Sequence, residues 1–174
     1  MTSQKTFETD RLLLRLICTE DAEFILELFH TPKWLKYIGD RNVSTIAETV
    51  AYIQSKMLPQ IERLGYGSFM VIRKIDLKKI GTCGLYDRDG LDGLDIGFAF
   101  LPEFEGQGYA FEAVDRIKNA AFEDFGLNEL VAITTKENLS SQKLLEKLGL
   151  NLVGTTLIPN DEEELLLYRI KKAG

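Results

Sequence analysis

The stretch from Leu94 to Phe125 constrains this chain most, because a period-two apolar run, a turn with two glycines and an amphipathic helix follow one another directly. In LDIGFAFL (94–101), alternation puts Leu94, Ile96, Phe98 and Phe100 on a core face and Asp95, Gly97, Ala99 and Leu101 on the other. A carboxylate beside two very small residues predicts a groove on that second face, although a charged residue on a solvated strand is the plainer reading of Asp95. The turn PEFEGQG then enters a helix over about 109–125. The first amides of a helix lack carbonyl partners and its dipole favours an anion, so Gly106 and Gly108 leave a diphosphate room to approach the backbone. Without a ligand the same residues make an ordinary strand-to-helix turn. The dinucleotide fingerprint is excluded, since GQGYAF lacks its third glycine and follows several strands rather than the first.

The rest of the chain supplies a scaffold. DRLLLRLI (10–17) reads as a strand, and Thr19 as the cap of a helix with Phe24, Ile25, Leu28 and Phe29 on one face. Thr45 and Glu48 form a capping box ahead of Val50, Ile53, Met57, Ile61 and Leu64, with a kink or break at Pro59. Three apolar runs at 66–75, 79–87 and 94–101 predict an antiparallel meander. A strand (129–135), a helix (about 139–148) and two strands (151–158 and 163–170) close the chain. The order predicts a mixed α/β fold on one sheet, and no linker or repeat divides residues 1–174, so a single domain is expected.

Composition excludes several classes. Two cysteines and one histidine are too few for a disulfide framework or a metal cluster, so no metal is expected. Cys83, in the apolar run GTCGL, reads as a small core residue. Residues 1–87 carry 12 Lys/Arg against 11 Asp/Glu and residues 88–174 carry 9 against 16, which disfavours nucleic acid. The acids of 87–95 and 161–164 suit turns, and would also suit a cationic amine. With no apolar run of membrane-span length and no signal-peptide pattern, no membrane partner and a cytoplasmic location are expected. Monomer and homodimer both remain open.

Two segments together resemble one family. Glu105-Gly106-Gln107-Gly108-Tyr109-Ala110 is similar to the cofactor motif Gln/Arg-x-x-Gly-x-Gly/Ala of the GNAT acetyltransferases, and Asn138 with Ser141, ahead of Glu-Lys-Leu-Gly at 146–149, resembles the Asn-x-x-Ser of its RimJ/RimL-like branch. Glu105 departs from the usual Gln or Arg, and Leu144 and Leu145 stand where many members carry a tyrosine that serves as general acid. The resemblance implies a mostly antiparallel sheet that splays between strands 94–101 and 129–135. It also implies acetyl-CoA as cosubstrate, without metal, and transfer of acetyl to a primary amine on a protein N-terminus or small molecule by direct attack in a ternary complex. A longer acyl group, needing a roomier groove beside Gly97 and Ala99, and a non-catalytic acyl-CoA sensor are the alternatives.

The resemblance also implies a site. Gly106, Gln107, Gly108, Tyr109 and Ala110 would cradle the diphosphate, pantetheine would run along Phe98, Phe100 and Leu101, and Asn138 and Ser141 would face it. The attacking amine must be neutral, so a proton acceptor is useful: Asp95 first, then Glu112, for which a dipole-stabilising role in the first helical turn is the simpler reading. Ser141 would hold the sulfur or relay a proton, although Asn138 and the serines are also good helix caps. Trp34, Tyr37, Arg41 and Arg88 are the expected acceptor lining. Trp34 and Tyr37 also read as core, and Arg41 and Arg88 either as anchors for a carboxylate on the acceptor or as partners of Asp40, Asp87 and Asp89.

Overall fold

The computed structural model describes residues 5–174. Its strands are β1 (Thr6–Glu8), β2 (Leu12–Leu16), β3 (Ser68–Arg73), β4 (Lys78–Tyr86), β5 (Asp95–Phe100), β6 (Glu129–Thr134), β7 (Asn151–Thr156) and β8 (Leu165–Lys171). They form one eight-stranded sheet in the order β1-β2-β3-β4-β5-β6-β8-β7. Its helices are α1 (Ala22–Phe29), α2 (Pro32–Tyr37), α3 (Ile46–Tyr52), α4 (Leu58–Leu64), α5 (Tyr109–Glu123) and α6 (Leu139–Lys147). Neighbouring strands run antiparallel except β5 and β6, which are parallel and meet at one register pair, Asp95 with Val131. This is the mixed α/β fold expected, with its opening at the two strands expected to part.

Register sorts the side chains into two faces. Leu14 lies opposite Val71, Phe69 opposite Cys83, and Leu85 opposite Ile96, so these apolar residues share one side of the sheet. Phe7 joins them and meets Phe125, just beyond α5, at 6.0 Å between ring centroids. Ala113, Val114, Ile117, Ala120 and Ala121 of α5 are all buried in the same core. The opposite face carries Arg15, Met70, Thr82, Tyr86, Gly97 and Asp95.

Three local features depart from the expected elements. Thr19 does not cap α1: it opens a short 3-10 turn, Thr19–Asp21, and the buried Asp21 carboxylate accepts the Cys18 N–H and pairs with Arg15 and Lys79. Burial opposes ionisation of Asp21, but these bonds outweigh it and hold the carboxyl below the ordinary range. Thr31 caps a further helix, α2, with Pro32 in its first turn, in a segment expected only to line a pocket. The expected break near Pro59 is a wide π-type turn, Ile53–Met57, after which Pro59 sits in the first turn of α4, where its missing N–H costs nothing.

Candidate functional site

Helix α5 begins with no side-chain cap. Its N-cap is Gly108, at φ +83°, and Gly106 just before it stands at φ +73°. Both are left-handed conformations that side chains resist. A Cβ on Gly106 would meet nothing within 4 Å, so the space beside the turn is open. The first amides of α5 therefore face an open turn with no protein acceptor supplied by a cap. These residues fit a diphosphate.

The turn is held from behind by Arg11, whose role the sequence reading missed. Its Nη1 donates to the Gln107 carbonyl at 3.0 Å, and its guanidinium lies 4.2 Å from the centroid of the buried Tyr109 ring. Its Nε reaches Glu112 at 2.8 Å, while the Arg11 N–H and the Thr9 hydroxyl donate to the other Glu112 oxygen. Burial works against the Glu112 charge, yet Thr9 and Arg11 together hold its pKa below the usual value. A carboxylate so engaged clamps the helix start, in line with the simpler of the two readings expected for Glu112. Glu105 takes the Lys33 ammonium of α2 at 2.6 Å, tying that helix to the turn.

Asp95 begins β5 where it meets β6. Only 2 % exposed, it accepts Arg88 Nε at 2.5 Å. Burial raises its pKa, with Arg88 opposing the rise. The space beside Gly97 is not an open groove, because a Cβ there would lie 3.0 Å from the Tyr86 ring. That ring fills the face, its hydroxyl donating to Ser68 Oγ at 3.2 Å and its pKa pushed up by burial to about 12. Phe100 and Leu101 are buried in the core and Phe98 is half-buried, so their side chains pack inward. What β5 turns toward the parting from β6 beyond Asp95 is its backbone edge.

On the other flank, Asn138 caps α6 by accepting the Ser141 N–H at 3.3 Å, and the Ser140 hydroxyl also donates to it. The cap is Asn138, and the Ser141 hydroxyl takes no part in it. Of the two leucines that stand where many family members carry a tyrosine, Leu145 is buried and Leu144 packs against the core. Thr135, at the end of β6, is 6 % exposed and its hydroxyl has no partner.

The four expected acceptor residues do not form a single cluster. Arg88 pairs with Asp95, while Asp87 pairs with Arg63 and Asp40 accepts the Asn42 N–H. Trp34 stacks on Phe29 at 4.6 Å, and Tyr52 meets Phe29 edge-on at 5.3 Å. Tyr37 stands outside that cluster with Lys36 over its ring. Arg41 lies over Trp34 at 5.7 Å. Burial pushes the Cys83 thiol up, away from thiolate chemistry. Among the described residues no group of His, Cys, Asp and Glu is arranged to hold a metal, and no helix is long and apolar enough to cross a membrane.

Residues 11–151, which hold this strand parting and helix start, are matched by a family model, the acetyltransferase (GNAT) domain. The chain belongs to that family of acetyltransferases. It is 30% identical over 148 residues to the uncharacterized N-acetyltransferase YoaA of Bacillus subtilis, covering 84% of this chain and 83% of that protein. Its fold matches an acetyltransferase from Agrobacterium tumefaciens at a TM-score of 0.83 and 24% identity, over 99% of this chain and 97% of that one. A RimL ribosomal alpha-N-protein acetyltransferase in complex with coenzyme A matches at 0.80 and 15% identity, over 96% of this chain and 98% of that one.

Proposed function

We propose that the protein moves an acetyl group from acetyl-CoA to a primary amine by direct attack, without a covalent enzyme intermediate. The carrying observation is the uncapped start of α5 beside the parting of β5 from β6, with a buried carboxylate at its root. Gly106 to Ala110 bind the diphosphate through backbone amides, Arg11 holds their turn in place, and Asn138 and Ser141 face the pantetheine. The acetyl thioester supplies the activated carbonyl. Asp95 takes the amine proton, its basicity raised by burial while Arg88 keeps it ionised. Amides on the β5 edge bond the carbonyl oxygen, and the Ser141 hydroxyl, uncommitted to the helix cap, donates to the departing sulfur. The Tyr86 ring beside Gly97 favours acetyl over a longer acyl group. A ribosomal-type protein N-terminus fits the reading because of the RimL fold match and Asn138 with Ser141, and small amines remain within it.

Asp95→Asn tests the reading. Turnover should fall by about 10²-fold or more while coenzyme A affinity stays within twofold. Ionised Asp95 is the active form, so the wild-type rate should rise with pH through its raised pKa, and the variant should lack that limb. Equal turnover would remove Asp95 from the chemistry, and a bound but unreactive acetyl-CoA with every amine offered would favour a sensor.

A further inference from the structure

The segment expected to line the acceptor carries a cation without a counter-charge among the described residues. Segment 31–41 holds Lys33, Lys36 and Arg41 against Asp40 alone, in a chain whose net charge is −6. Lys33 is spent on Glu105, and Arg88 on Asp95. Among the described residues Arg41 has no carboxylate within ion-pair range and makes no side-chain hydrogen bond, although Asp40 is its neighbour in sequence. Two donors here are also closed off from water without an acceptor, Arg41 Nε and Trp34 Nε1. A buried donor left unpaired costs about 1–3 kcal/mol, so two on one arginine-indole pair mark a place where an acceptor group belongs. The pair borders the turn ahead of α5: Arg41 covers Trp34 at 5.7 Å, and Lys33, which precedes Trp34 in α2, holds Glu105 at 2.6 Å.

Resting on the acetyltransferase reading, we propose that the acceptor is an amine bearing a carboxylate, and that Arg41 with the Trp34 indole N–H binds that acid while the amine reaches Asp95. A planar guanidinium suits a carboxylate by two parallel hydrogen bonds, and an adjacent indole N–H adds a third donor. Of the two arginines expected as carboxylate anchors, Arg88 is taken by Asp95, which leaves Arg41 for the acid.

Trp34 is the single tryptophan, so its emission reports this site without any reaction. Alanyl-glycine, alanyl-glycinamide and alanyl-glutamate amide share one amine and differ in having a terminal carboxylate, none, or a side-chain carboxylate. With coenzyme A present, the acidic peptides should change Trp34 emission saturably and the neutral one should not. With acetyl-CoA, kcat/KM should favour at least one acidic peptide over the neutral one by about tenfold or more, the better of the two naming the carboxylate's source. Arg41→Gln should bring that ratio to about one, and Arg41→Lys should keep part of it, both with wild-type melting. No preference in the wild type, or one that survives Arg41→Gln, overturns the proposal. If no peptide is acetylated yet the acids alter Trp34 emission in an Arg41-dependent way, the acid site stands and the acetyl-transfer reading falls.

Discussion

Helices α5 and α6 both begin beside the parting of β5 and β6, yet they begin differently. Asn138 closes the start of α6 with a side-chain oxygen, whereas α5 starts at a glycine in the left-handed region and no side chain serves its amides. A capped start is a structural device worth about 1 kcal/mol, while an uncapped one of fifteen residues keeps its amides and dipole for something else. The stabilisation missing from the α5 cap is supplied behind the turn, by Arg11 on Gln107 and Glu112. One start is closed by its own side chain, and the other is left open.

The largest expected effect attacks the open start. Gly108→Val places a β-branched side chain at φ +83°, with its Cβ 3.3 Å from Arg11 Nη2. Coenzyme A affinity by calorimetry should fall at least tenfold, about 1.4 kcal/mol, and stability should drop by about 1–2 kcal/mol from backbone strain. An unchanged affinity in a folded variant would erase the difference between the two starts.

Asn138→Ala attacks the closed start and should lower stability by about 1 kcal/mol in chemical denaturation. Coenzyme A affinity should fall less than in Gly108→Val. Weaker still is the clamp behind α5. Since the Glu112 pKa is lowered from 4.5 in the folded protein, its contribution is present above pH about 4.5 and is lost as pH falls through the lower folded value. Arg11 is largely exposed, so Glu112→Gln should cost below about 1 kcal/mol at pH 7, with the cost vanishing in acid. A pH-independent loss would mean that Glu112 acts by packing alone. Ser141→Ala should change stability least, under about 0.5 kcal/mol, because Asn138 is the cap; turnover should fall about tenfold if the hydroxyl serves the sulfur.

Much of this architecture was readable from the sequence where one local rule dominates. The alternation of LDIGFAFL placed Ile96 and Phe100 in the core, and the Thr45 signal marked the start of α3, its hydroxyl accepting the Glu48 N–H at 3.1 Å. What escaped depends on contacts distant in sequence. Arg11 and Glu112 are 101 residues apart, so the clamp has no local signature. The groove expected beside Gly97 failed because antiparallel pairing brings the Tyr86 ring from the next strand into the space the glycine leaves. α2 was hidden by its shortness, with six residues of mixed polarity giving no period to read.

The most direct test asks which helix start takes a diphosphate. Backbone amide chemical shifts would be followed by NMR as inorganic diphosphate is added to the full-length protein. Shifts concentrated at Gly106 to Phe111, saturating, and absent from Leu139 to Ser141 are the predicted result. Shifts centred on Leu139 to Ser141, or spread equally over both starts, would contradict it.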